Sequence, residues 1–480
     1  MMMARRMLAV LATGVAVLTA CSAPLQGEPR SALWNPDSVG GLPLTDGPSG
    51  IRPDAPTPEG KVAYTDDGPI DRMALLAVND VAEFWQQNYS PTLEGTFAPV
   101  ENYASYDSND PNSPELCGQR GYNEPNAFFC YPLDLMAWDR GVLLPIGSKY
   151  FGDVTVAEVI GHEYGHAVQR MADLTDRSTP TLVSEQQADC FAGTYIRWVA
   201  EGKSKRFELN TGDGLTKVLA GVLSSKDPVW DEEHQDMVTE GHGTALDRIT
   251  AFQMGFIEGE SSCARIDLDE IEKRRGDLPI IMATDSSGNE QTGEIAITEK
   301  TLTTLVDQLN KQFSPKTPPT LSITPPAQPC PDAKPTLGAS YCPATNTITA
   351  DLAALQTLGA VGDIKQGVLV QGNNTALSVV ISRYVLALQH ERNVSLDNAA
   401  ASLRTACLTG LAQRNMVDAP PPSLTLTAGD MDEAVAGLLN NGLAASDVNG
   451  NTVPAGFSRV MAFRSGLLDQ DRDACYGRFP

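Results

Sequence analysis

The sequence predicts a helix-rich chain with a few short strands, laid out as two copies of one domain. Three observations carry this expectation. Apolar residues recur at helical spacing near 70–85, across 153–202 and again near 302–313. Strand-like runs at Thr96–Val100 and Phe128–Trp138 fall between the first two of these segments. The eight cysteines beyond residue 100 come in the same order in both halves, with similar text around them.

In chain order, residues 1–20 read as an export signal. Arg5 and Arg6 give a basic start, and Met7 to Val17 an apolar stretch too short to span a bilayer. Leu18-Thr19-Ala20-Cys21 resembles a bacterial lipobox, which implies that Cys21 carries the lipid anchor of a lipoprotein. No later stretch is apolar enough to cross a bilayer, so the rest of the chain is expected on the extracytoplasmic face. Residues 21–67 hold eight prolines and little periodicity, which predicts an extended, disordered tether. The first copy is expected over 68–265, opened by a helix with Leu75, Val78, Val81, Ala82 and Trp85 on one face. A connector over 266–299 leads to the second copy, 300–480, whose opening helix presents Leu302, Leu305, Val306, Leu309 and Phe313.

At 480 residues the chain exceeds one ordinary core. Its formal net charge of -25 argues against nucleic acid or an anionic surface as a partner.

Aligning Cys130 with Cys342, Cys190 with Cys407 and Cys263 with Cys475 brings the halves into register. GDVTVAEVIGHEYGHAVQ (152–169) then lies over GNNTALSVVISRYVLALQ (372–389), and RITAFQMG (248–255) over RVMAFRSG (459–466). An even set of cysteines in an exported chain, with no CxxC pair, reads as disulfides rather than a thiolate metal site. A duplicated domain closes its bridges within each copy, which leaves three pairings per copy. Joining sequence neighbours closes the shortest loop, so Cys117–Cys130, Cys190–Cys263, Cys330–Cys342 and Cys407–Cys475 are expected.

The chemistry concentrates at HEYGH, 162–166. Two histidines four apart on a helix share a face, so His162 and His166 can reach one metal ion, with Glu163 beside it as a base for bound water. Thr155 with Glu158 reads as the capping box of that helix. Gly161 and Gly165 weaken it by about 1 kcal/mol each relative to alanine, which points to close approach of a strand or substrate. A catalytic zinc needs a third ligand and an open position. SEQQADCFAG (184–193) offers Glu185 as that ligand, and Asp189 one turn on to accept a hydrogen bond from the far nitrogen of His162. Ser184 with Gln187 reads as the start of this second helix. One zinc per chain is therefore expected.

HEYGHAVQ, EQQADCFAG and HGTALDRITAFQMGF (242–256) together resemble the bacterial neutral zinc metallopeptidase family over about 68–265. The departure is Gln186, where that family commonly has leucine, and it touches no ligand. The wider HExxH…ExxxD arrangement is similar to the gluzincins. That implies an α+β fold, a zincin-like domain with its active-site helix packed under a small sheet. The resemblance also implies that CGQRGYNEPNAFFC (117–130) and the following strand wall a peptide cleft.

The expected activity is hydrolysis of a peptide or protein substrate, with Glu163 as general base and His242 as the donor to the oxyanion. His234, in DEEHQD, and His390 read as bystanders. The alternative reading is an envelope binding or scaffold lipoprotein on a peptidase fold; amide hydrolysis in cell-wall peptides would use the same chemistry. The second copy is expected to bind no zinc. Ser382, Arg383 and Leu386 stand opposite His162, Glu163 and His166, while Ser402, Ala406 and Val453 stand opposite Glu185, Asp189 and His242.

Overall fold

A proline at the first helical position and an acidic first turn start α1 (Pro69–Asn88), which buries Leu75, Val78, Val81 and Trp85. The computed structural model describes residues 32–480 apart from 90–91, 285–292, 363–368, 370, 418 and 420–422. The export signal and Cys21 lie outside the described residues. Among the described residues no helix is long and apolar enough to cross a membrane.

The class is α+β. In the first half a four-stranded sheet runs in the order β1 (Val62–Ala63), β2 (Asn102–Tyr106), β4 (Leu135–Asp139), β3 (Ala127–Cys130). β1, β2 and β4 are parallel, and β3 is antiparallel to β4 with Cys130 opposite Leu135. Four helices follow: α2 (Asp153–Met171), α3 (Thr181–Ala200), α4 (Asp213–Ser224) and α5 (Ala245–Glu258). A shorter helix, α6 (Leu268–Arg275), closes the half.

The second half repeats this order. α7 (Glu299–Phe313) is followed by β5 (Thr320–Ser322), β6 (Ala339–Cys342) and β7 (Thr347–Ala350). These strands again pair with one parallel and one antiparallel neighbour of the central strand. Each hairpin turns through a short 3-10 segment into a left-handed residue, Asp134 at φ 47° and Asn346 at φ 48°. Then come α8 (Asn373–Glu391), α9 (Ala399–Arg414), α10 (Asp430–Asn440) and α11 (Gly456–Leu468). The bridges are Cys117–Cys130, Cys190–Cys263, Cys330–Cys342 and Cys407–Cys475, each within one half.

The closest helix contacts repeat as well. A Cβ on Gly193 would lie 2.1 Å from the carbonyl oxygen of Phe252, and one on Gly410 would lie 2.1 Å from that of Phe463. Gly255 and Gly466 approach the carbonyls of Cys190 and Cys407 in the same way. Only glycine permits α3 to meet α5, and α9 to meet α11, at this distance.

Several sequence expectations need correction. Residues 32–67 are not a disordered tether. Val39 is fully buried, Gly50–Ile51 pairs with Phe207–Glu208, and Val62–Ala63 joins the sheet. Here proline and glycine shape a strap held by many distant partners, so low periodicity does not mean disorder. The strand expected at Thr96–Val100 lies instead at Asn102–Tyr106, because the Val100 N–H goes to the Tyr164 hydroxyl rather than to a ladder. The connector includes α6, whose Ile271 is buried and whose Arg275 grips Asp247.

Candidate metal centre

α2 begins at Asp153, with Gly152 at φ 89° as its N-cap. The expected capping box is absent: the Thr155 hydroxyl donates to the Phe151 carbonyl, and Glu158 is buried beneath the site. α3 likewise begins at Thr181 after Pro180, so Ser184 lies one turn inside it. The mid-helix glycines of α2 also serve a different neighbour from the strand or substrate expected. A Cβ on Gly165 would stand 2.9 Å from Ala188 Cα, and one on Gly161 3.0 Å from the Tyr195 ring. They let α3 lie against α2, and that contact delivers Glu185 to the two histidines.

His162, His166 and Glu185 offer donor atoms all within 4.8 Å of one another. His162 Nε2 is 3.1 Å from Glu185 Oε2, and His166 Nε2 is 3.5 Å from Oε1 of the same carboxylate. A tetrahedral ion with bonds of ~2.0–2.1 Å has ligand–ligand edges of about 3.3–3.4 Å, and the two histidine–Glu185 spacings are close to that. Both imidazoles are held from behind. His162 Nδ1 donates to Asp189 Oδ1 at 2.8 Å, and His166 Nδ1 to Gln169 Oε1 at 2.9 Å. These bonds turn both Nε2 atoms towards Glu185.

Asp189 is fully enclosed and takes a fork from Arg248, with Nη2 to Oδ1 at 2.7 Å and Nε to Oδ2 at 2.9 Å. Burial alone would push its carboxyl up, but Arg248 and His162 hold it below the usual range. Glu185 follows the same pattern, with His166 and His162 overcoming burial. Glu163 goes the other way. Burial raises it above an ordinary glutamate, and the two imidazoles only partly offset this.

His242 stands at the open side, about half exposed, with Nε2 3.5 Å from Glu185 Oε2. Its Nδ1 faces Asp227 Oδ1 at 3.3 Å, and Gln186 donates to its backbone carbonyl at 2.8 Å. Gln186 therefore touches no ligand but holds the carrier of one site group. Four supporting residues had no assigned role in the sequence: Gln169, Gln186, Asp227 and Arg248. Gln169 was findable, since it follows His166 by one helical turn; Asp227, in an irregular loop, carried no signal. His234 pairs with Asp231 on the surface, and His390 meets the Tyr341 hydroxyl, both away from the cluster.

The corresponding place in the second half is plugged. The Arg383 side chain is buried and donates to the carbonyls of Asp447 and Leu443 and to the Ser446 hydroxyl. Burial pushes its guanidinium down to about 10. Leu386 is fully enclosed, and Ser382 bonds to its own helix. Arg459, opposite Arg248 in the alignment, is buried, and its Nε has no hydrogen-bond partner among the described residues. Among the described residues one further cluster of metal-type donors occurs, Cys330, Asp332 and Cys342, but its two sulfurs are bonded to each other. Comparison with family models, with curated proteins and with solved structures found no match.

Proposed function

We propose that the chain is a zinc-dependent peptidase whose ligands are His162, His166 and Glu185. The observation that carries this reading is the convergence of three donors whose imidazoles are already fixed by Asp189 and Gln169, with the buried Glu163 carboxylate next to His162 on the same helix. Zinc, when bound, supplies the Lewis acid that makes water and a peptide carbonyl reactive near neutral pH. Glu163 takes the proton of the attacking water and returns it to the leaving amine. His242 donates from Nε2 to the oxygen on which charge develops, with Asp227 fixing its other nitrogen.

The same proposal includes a zincin-like first domain followed by a degenerate copy, supported by the repeated element order and the plugged second site. It also includes attachment to a membrane through a lipid on Cys21. Cys21→Ala should release the protein from membranes or leave an uncleaved precursor; unchanged maturation and fractionation would sink the anchor. For the enzyme, Glu163→Gln should keep one zinc per chain and lose hydrolysis across a quenched-fluorescence peptide library. Glu185→Ala should lose the metal. Full activity in Glu163→Gln refutes the mechanism.

A further inference from the structure

The two halves meet through a reciprocal contact. At the start of α11 the backbone N–H of Gly456 donates to the hydroxyl of Thr216 on α4, at 2.8 Å. At the start of α5 the N–H of Ala245 donates to Oδ1 of Asp432 on α10, at 3.1 Å. Gly456 corresponds to Ala245 in the repeat; Asp432 corresponds to Thr216, each standing one turn and a half before a glycine (Gly437, Gly221) that packs on the matching threonine (Thr375, Thr155), so each half caps a helix of the other. A two-fold dimer interface is self-complementary in this way.

The reciprocity is broken in one respect. Thr216 is neutral, whereas Asp432 is a carboxylate whose Oδ2 also meets Lys226 Nζ at 3.0 Å, both side chains being nearly enclosed. Lys226 in turn donates to the Asp227 carbonyl at 2.9 Å. One carboxylate from the second half therefore holds both ends of the 226–245 loop. Within that loop Asp227 and Gly243 bond to each other twice, and Asp227 faces His242. A neutral cap would suffice to close a helix end. The added ion pair reaches only the loop that carries His242.

We infer that Asp432 is a positioning residue for His242, so that the second half, without chemistry of its own, sets the geometry of the first half's site. This rests on the reading of His242 as the donor to the developing oxyanion.

The test uses the full-length, zinc-loaded protein and the best-cleaved member of a quenched-fluorescence peptide library. Asp432→Ala should lower kcat about tenfold or more with KM within about twofold, and His242→Ala should lower kcat by about 10²–10³. The double variant should be no slower than His242→Ala alone, because both act through one group. Asp432→Asn, which keeps an acceptor for Ala245, should recover part of the loss. Thr216→Val removes the matching cap on the other side and should leave kcat unchanged. Multiplicative losses in the double variant, or an equal kcat defect in Thr216→Val, overturn the inference. Amide exchange provides a readout that needs no activity: residues 226–245 should exchange faster in Asp432→Ala and not in Thr216→Val. If the wild type cleaves nothing, the proposed function fails while the exchange experiment still decides whether Asp432 holds the loop; unchanged exchange there overturns the inference.

Discussion

Nδ1 of His162 lies 2.8 Å from Oδ1 of Asp189, and that carboxylate is wholly withdrawn from solvent. A buried acid could not remain ionised alone; the Arg248 fork lets it do so. The pair fixes the tautomer of His162 and raises its basicity. Asp189→Asn should therefore weaken zinc binding about 10–100-fold, read by competition with a chromogenic chelator. Arg248→Met should weaken it too, since it strands the carboxylate. Unchanged affinity in both variants would show that the enclosed network is only packing.

The repeated glycine contacts make a second prediction. Gly193→Ala and Gly410→Ala each drive a methyl to 2.1 Å from a carbonyl oxygen, of Phe252 and Phe463 respectively. Overpacking of this kind costs typically about 1–3 kcal/mol, and backbone cannot step aside as a side chain can. Both variants should lower the melting temperature by similar amounts. A large loss in one and none in the other would contradict equivalent packing in the two halves.

A third prediction concerns pH. Burial pushes Glu433 up to about 8, with Asp430, Glu294 and Asp432 adding repulsion against the Asn374 N–H bond. Its folded value is raised above the unfolded one, near 4.5. The stability it contributes is thus full below that value and is lost as pH rises towards about 8. The wild type should melt lower at about pH 8 than at about pH 5, and Glu433→Gln should flatten that slope. A variant as pH-sensitive as the wild type would show that the charge is not carried there.

What the sequence revealed and what it hid follow from the range of the forces involved. HEYGH and Glu185 were legible because helical spacing puts His162 with His166, and Glu185 with Asp189, each on one face; that the two faces meet comes from the packing of α3 against α2. The bridges were legible because duplication limits their partners. Helix starts were misread at Thr155 and Ser184: the Thr155 hydroxyl goes to the Phe151 carbonyl just before α2, and the Ser184 hydroxyl, one turn inside α3, crosses to Gln169 Oε1. The strap over 32–67 was hidden because its order comes from contacts more than a hundred residues away, such as Thr45 with Thr211 and Arg52 with Ser204. Asp432 was hidden for the same reason, since its contact with Lys226 exists only once the two halves are docked; Asp227 was hidden because its bonds to Gly243 and His242 close an irregular loop with no periodic pattern.

The central claim is a single zinc ion held by one cluster in the first half. Anomalous diffraction across the zinc edge from crystals of the purified protein tests it most directly. One peak should stand between His162 Nε2, His166 Nε2 and the Glu185 carboxylate, at about 2.0–2.2 Å from each, with none near Arg383. A zinc-supplemented crystal with no peak at that cluster, or with its peak elsewhere in the chain, contradicts the account.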